Sequence, residues 1–282
     1  MAAQEAGGEA VSGGLTAGEY INHHLHNWQV GSGFWTLNLD TIGYSLLLGV
    51  LSCFVMWRVA KSVNAGVPGR LQAAVEFLIE WVDTEARGIV RNEESRKFVG
   101  PLALTVFIWI TLMNAMDLLP VDLLPWTWQT VQGNHNAYMR VVPTADLSAT
   151  MAMSVTVLLI CIYYNIKIKG LGGWLHELFT APFGNHFLLY PFNFALQIIE
   201  FVSKTVSHGM RLFGNMYAGE LVFLLIALMG GAFFSAIGIP LTIGHVIAGT
   251  LWAIFHILII LLQAFVFMML ALVYVGQAHD AH

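Results

Sequence analysis

"LVFLLIALMGGAFFSAIGIPLTIGHVIAGTLWAIFHILIILLQAFVFMMLALVYVGQAH", residues 221–279, contains no Asp, Glu, Lys or Arg. A membrane helix needs about 20 consecutive, mostly apolar residues, so this run holds more than one span. It breaks at "GGAFFSAIGIP", residues 230–240, where Gly and Pro mark a turn near Ile237. Upstream, between Leu188 and Met229, the charges are Glu200, Lys204, Arg211 and Glu220, and the sole proline is Pro191. The pattern predicts a hairpin of two long helices, over residues 190–230 and 244–276. At 1.5 Å per residue each helix is roughly 45–60 Å long, against a hydrocarbon core of about 30 Å. Helices this long and this apolar are expected to tilt strongly from the membrane normal.

The rest of the chain agrees. Of 282 residues, 57% are hydrophobic and 10% charged, where a soluble domain carries about 25% charged residues. The composition predicts an all-α integral membrane protein, since only helices or closed barrels satisfy their backbone in lipid. The net charge of −5 leaves no basic surplus for nucleic acid. Apolar runs bounded by charges at 41–57, 98–116 and 147–166 predict three more spans, making about five. Residues 68–92 differ. After a Pro-Gly stop, Leu71, Val75, Leu78 and Val82 recur at helical spacing among charges, which predicts an amphipathic helix on the membrane surface.

The chain thus divides into a tail and outer interfacial segment at 1–38, three spans at 39–187 and the hairpin at 188–282. The start, "MAAQEAGGEAVSGG", is acidic and Gly-rich, unlike a standard signal peptide. Cys53 and Cys161 lie in apolar runs, and no disulfide is expected. Orientation follows from the cations. Segment 58–97 holds Arg58, Lys61, Arg70, Arg87, Arg91, Arg96 and Lys97, and Lys167 and Lys169 follow the third span, while loop 117–146 holds only Arg140. The positive-inside rule puts the N-terminus, that loop and the hairpin tip outside, and the C-terminus in the cytoplasm.

Arg211 is the charge that demands a reason, because an ionisable residue inside a span is a functional-site hypothesis by default. On a helix its neighbours Ser203, Ser207, Gly214 and Ala218 are all small, a stripe that lets a partner helix come close. Packing within the chain would use the same stripe, but a guanidinium also needs an anion. Glu220, nine residues on, lies nearly on the opposite side of the helix. Arg211 is therefore expected to meet a carboxylate on a second protein.

Folding the hairpin at its turn sets Arg211 level with Gln263 and Glu220 level with His256. Glu220 and His256 are expected to face each other and exchange protons on an outer path; a structural hydrogen bond tying the hairpin is the alternative. Asn114, Asp117, Asp146 and Ser148 stand at outer span ends, as path or as interfacial caps. Glu200, Ser203, Lys204 and Ser207 precede the arginine and could border an inner path, with a Glu200–Lys204 helix pair as the alternative. His23, His24 and His26 lack ligand spacing, so neither metal nor other cofactor is expected.

"RLFGNMYAGE" (211–220), "FHILIILLQAFVFMML" (255–270), "MDLLP" (116–120) and "PTADLSAT" (143–150) together resemble subunit a of bacterial F-type ATP synthases over nearly all of the chain after the tail. The resemblance implies a stator in the inner membrane with no bond-making chemistry of its own. Its partners would be the rotor ring of subunit c, the subunit b stalk, other synthase subunits and lipid. Each ring subunit would carry one mid-membrane carboxylate, served by two offset half-channels. Arg211 would match the essential arginine, and Asn215, Glu220, His256 and Gln263 the outer path, with Asn114 and Asp117 nearby. The pattern departs at Gln197, where several relatives are acidic; Glu200 lies about one turn later. A self-contained channel or secondary transporter would instead show repeats and internal charge partners. A metal-dependent membrane enzyme would show clustered ligands.

Overall fold

The computed structural model describes residues 17–64, 66–120, 123–133, 139–184, 186–231 and 238–278. The expected hairpin tip at Ile237 lies outside the described residues. The acidic, Gly-rich start lies outside the described residues, and the segment before the first span is described from residue 17. It holds helix α1 (Ala17–Leu25) and a minimal antiparallel pair, β1 (Gln29–Val30) with β2 (Leu37–Asn38). Then come α2 (Leu39–Lys61), α3 (Arg70–Ile89), α4 (Glu93–Ala115), α5 (Leu123–Gln132), α6 (Leu147–Thr180), α7 (Tyr190–Gly231) and α8 (Gly238–Gln277).

Five of these, α2, α4, α6, α7 and α8, are long and apolar enough to cross a membrane. Along α2 the side chains of Leu46, Leu47, Val50, Leu51 and Phe54 are exposed. A soluble protein could not leave such a face in water, whereas hydrocarbon accepts it. The chain is an all-α integral membrane protein.

Several boundaries shift from the sequence expectation, each for a local reason. α8 begins at Gly238, not at residue 244, because Pro240 falls in the first turn, where a missing N–H breaks no helical bond. α6 continues past residue 166 to Thr180 but is broken at Gly170, with φ 73° and ψ 159°. Only glycine adopts that backbone readily, so a span and a shorter helix meet there. α5 forms inside the loop expected at 117–146. α3 keeps its amphipathic character with a rotated buried side: Val75, Val82 and Ala86 are buried, and Leu71, Phe77 and Ile79 exposed. Its Trp81 stacks on Phe265 at 5.6 Å and meets Phe107 edge-on at 5.1 Å, which fixes the rotation.

The chain packs as two units, and α2, α4, α7 and α8 each contribute to both. One comprises residues 1–48, 112–146 and 214–261; the other comprises 49–111, 147–213 and 262–282. In the first, α8 approaches α7 at glycines. The His245 ring contacts the Ile226 carbonyl at 2.7 Å, and a Cβ on Gly230 would lie 3.1 Å from that ring. A Cβ on Gly219 would overlap the His256 ring. In the second unit, α6 approaches α7 where Ser154 Oγ donates to the Thr205 carbonyl at 2.6 Å. Close approach at small residues is how membrane helices gain packing without a hydrophobic drive.

Gly209 tests this. A Cβ there would sit 2.7 Å from Met151 Sδ and 3.2 Å from the Thr150 carbonyl, whereas one on Gly214 meets nothing within 4 Å. Gly209→Ala should destabilise the chain by about 1–3 kcal/mol through overpacking, and Gly214→Ala should not. Thermal unfolding in detergent reads the difference. Equal behaviour of the two variants would mean that α6 yields at this contact.

Candidate functional site

α7 is two-sided around the arginine. Thr205, His208, Gly209, Leu212, Met216, Gly219 and Glu220 are buried, and Ser203, Ser207, Arg211, Gly214, Asn215 and Ala218 are exposed. Both sets recur at the three- and four-residue spacing of a helix. Gln263 Nε2 donates to the Arg211 carbonyl at 3.0 Å, so α8 holds the arginine's backbone from the covered side. Among the described residues no carboxylate pairs with the Arg211 guanidinium. The expected level pairing of residues 211 and 263 is present, although it runs through the backbone and leaves the charge free to face outward.

Glu220 and His256 are not each other's partners, contrary to the sequence expectation. Glu220 takes a buried guanidinium: Arg140 Nη2 and Nε donate to its Oε2 at 2.6 and 3.2 Å. The Arg140 guanidinium also lies 5.4 Å from the Tyr217 ring. His256, fully buried, places Nε2 2.7 Å from Asp117 Oδ2. The register brought both groups to one depth, but each side chain turned to the better partner: a two-pronged donor for the glutamate, an anion for the imidazole.

Around this pair the first unit gathers more polar groups. Asp40 Oδ2 accepts the backbone N–H of Arg140 at 3.0 Å and that of Trp28 at 2.9 Å, and its Oδ1 accepts that of Thr41 at 2.8 Å. Asp40 thus stands in the first turn of α2 and anchors the stretch of chain that carries Arg140. Asp146 accepts from Asn38 at 2.5 Å and from Thr41 at 2.9 Å. Asn114 is fully buried; its Nδ2 donates to the Ile260 carbonyl at 3.4 Å, and its Oδ1 has no partner among the described residues. The sequence alone does not mark Arg140 or Asp40 as a site residue. The available signal was that Arg140 is the single cation of its loop.

In the second unit Glu200 pairs with Lys204 at 2.6 Å, one helical turn apart, and Lys204 also donates to Gln277 Oε1 at 3.0 Å. Gln197, Glu200 and Lys204 line a cavity of roughly 1070 Å³. Glu177, held by Lys169 at 2.8 Å, lies on its wall, as does His208. Ser203 and Ser207 are not among the residues lining it; they lie on the exposed side of α7. Among the described residues no group of three or more His, Cys, Asp or Glu could hold a metal ion.

Residues 42–276 match the family described as ATP synthase A chain. The chain is 61% identical over 279 residues to ATP synthase subunit a of Acidovorax sp. (strain JS42), covering 95% of this chain and 97% of that protein. It is 58% identical over 284 residues to ATP synthase subunit a of Paracidovorax citrulli (strain AAC00-1), with the same coverage. Identity to ATP synthase subunit a of Aeromonas salmonicida (strain A449) is 48% over 273 residues, covering 97% of this chain and 99% of that protein.

Proposed function

Because the chain belongs to the ATP synthase A chain family, we propose a division of labour among its intramembrane polar residues. The protein is the membrane-sector stator subunit of ATP synthase, a proton-translocating component that works with the other synthase subunits and not as an enzyme alone. Its seat is a bacterial inner membrane. The N-terminus faces outside and the C-terminus the cytoplasm, as the cation bias of the loops indicates. The exposed side of α7 faces the ring of subunit c, and the subunit b stalk braces the chain.

Arg211 is the barrier and the trigger. A ring carboxylate must be neutral in lipid and must ionise once per passage to exchange its proton. A fixed cation that never deprotonates favours the ionised carboxylate where the two meet. Ser207, Gly214 and Ala218 allow the close approach. Asn114, Asp117, Asp146, Asn215, Glu220, His256 and Gln263 serve the outer path, with Arg140 added to them. Glu200, Ser203, Lys204 and Ser207 border the inner one. α7 and α8, tilted in the membrane, present their length to the ring.

One observation carries the reading: an exposed guanidinium without a carboxylate partner among the described residues, with the small residues Ser207, Gly214 and Ala218 exposed beside it on the same stripe of α7. Cysteines at Ser207 and Ala218 test it in the assembled complex, against a cysteine one turn from the ring carboxylate. Oxidation should cross-link stator to ring at both positions, and should not do so from Leu46 on the exposed face of α2. Cross-links from Leu46 alone would place the ring elsewhere.

A further inference from the structure

The β1–β2 hairpin has its polar and apolar faces reversed from what water would require. Gln29 pairs with Asn38 and Val30 with Leu37, and directly opposed residues share a face of the pair. Asn38 is tied to the protein, its Nδ2 donating to Asp146 Oδ2 at 2.5 Å. The opposite face bares Val30, 51% exposed, and Leu37, 57% exposed. At the tip between the strands Trp35 is 82% exposed. A strand pair resting on a soluble protein turns its apolar side chains inward and its polar ones outward. The tip is a formed turn. Gly31 takes φ 105°, and a Cβ there would lie 2.5 Å from the Trp35 carbonyl oxygen, so the chain can turn back here only at glycine. Thr36 Oγ1 donates to the Gly33 carbonyl at 2.8 Å. At the base, Leu39 N–H donates to the Trp28 carbonyl at 2.9 Å and Trp28 N–H to Asp40 Oδ2 at 2.9 Å, which fixes the hairpin to the first turn of α2. α5 repeats the pattern: its Trp128 ring packs 5.2 Å from that of Trp28, while Leu123, Trp126 and Val131 are exposed.

Length sets the depth of this surface. α2 has 23 residues, about 35 Å at 1.5 Å each, against a hydrocarbon core of about 30 Å. Ile42, Leu46 and Leu47 are exposed and apolar, so hydrocarbon begins close to the first turn of α2, and Leu37 lies two residues before that helix. The hairpin cannot go deeper, because a two-stranded pair has outward backbone groups that hydrocarbon would leave unsatisfied. We propose that Val30, Trp35 and Leu37 of the hairpin, together with the exposed side of α5, insert into the headgroup–acyl boundary of the leaflet at the N-terminal end of α2. They form a lipid anchor that holds Asp40 and Asp146, and through Asp40 the backbone of Arg140, at a fixed depth. Indole suits that boundary, with an apolar ring for the acyl chains and an N–H for the headgroups. Phospholipid is the occupant because the bared hairpin leads directly into the hydrocarbon-facing side of α2. Neither residues 25–39 nor α5 carries an Asp, Glu, Lys or Arg with which to specify a protein partner. The inference does not rest on the stator reading.

The test uses the assembled complex in phospholipid nanodiscs, with every native cysteine replaced, Cys53→Ser and Cys161→Ala in this chain, and a nitroxide on one introduced cysteine. Collisions of the label with oxygen, which concentrates in hydrocarbon, are compared with its collisions with a water-soluble nickel chelate. Two references bracket the scale: Leu47→Cys on the exposed face of α2 and Gly66→Cys, exposed in the loop between α2 and α3. Labels at Trp35→Cys, Leu37→Cys and Trp126→Cys should favour oxygen severalfold over the Gly66→Cys label and less than the Leu47→Cys label does. Labels that meet the chelate as freely as the one at Gly66→Cys would place the hairpin in water and overturn the proposal. Labels shielded from both reagents would show that a protein subunit covers the face, and would overturn it equally. Because Trp35→Cys removes part of the anchor, Leu37→Cys and Trp126→Cys decide if that variant does not assemble.

Discussion

Replacing Arg211 by alanine or by lysine is expected to abolish ATP synthesis driven by an imposed proton gradient, while the subunit still enters the complex. Assembly should survive because the arginine side chain is exposed and the contacts that hold its backbone, above all Gln263 to its carbonyl, do not involve the guanidinium. Synthesis should fail because Arg211 is the one exposed cation of α7 among the described residues; Lys204, half-buried, is already paired with Glu200. Lysine keeps a charge but lacks the planar fork, and in a dry site an ammonium can lose its proton. The two variants should differ in leak. With alanine a protonated carboxyl meets no barrier between the paths, so passive proton flow into vesicles stripped of the catalytic part should rise. A charged lysine should hold it down. Wild-type synthesis in either variant would refute the central claim, and an unchanged leak in the alanine variant would remove the barrier role.

The second large effect is expected at Arg140. Arg140→Leu leaves Glu220 buried against an apolar side chain, and breaking a buried ion pair from one side costs about 3–5 kcal/mol. The variant should lose thermal stability on that scale, and proton flow should fall with it. Glu220→Leu strands the guanidinium and should be comparably harmful. The double variant removes both charges, so its stability should return much of the way, since an apolar pair of similar volume often replaces a buried ion pair without loss. Proton transport should not return, because the ionisable group at that depth is gone. A double-mutant cycle on unfolding in detergent measures the coupling. Additive losses would show that the 2.6 Å contact contributes little to holding the loop on α7.

The cycle addresses a feature that no local pattern reveals. Arg140 and Glu220 are 80 residues apart in the chain. A cation in a loop between spans reads as interfacial until the fold shows the glutamate that it pairs with. Apolar runs, charge positions and helical spacing are local properties, and they are enough for what is local. They mark the five spans, the amphipathic character of α3, and the side of α7 that carries Ser203, Ser207, Arg211, Gly214 and Ala218. Folding the hairpin at its Gly/Pro break also sets residues 211 and 263 level, and the Gln263 bond to the Arg211 carbonyl agrees.

Partner choice is not local. Depth is all that the sequence can compare, and depth pairs Glu220 with His256. Packing decided between rival partners: the fork of Arg140, positioned by the carboxylate of Asp40, reached the glutamate, and Asp117 at the end of α4 reached the histidine. Such choices depend on a few ångströms of side-chain reach, set by segments distant in the chain. The surroundings of His208 follow the same rule: nothing local foretells that Phe267 and Tyr274, some sixty residues along the chain, close around its ring.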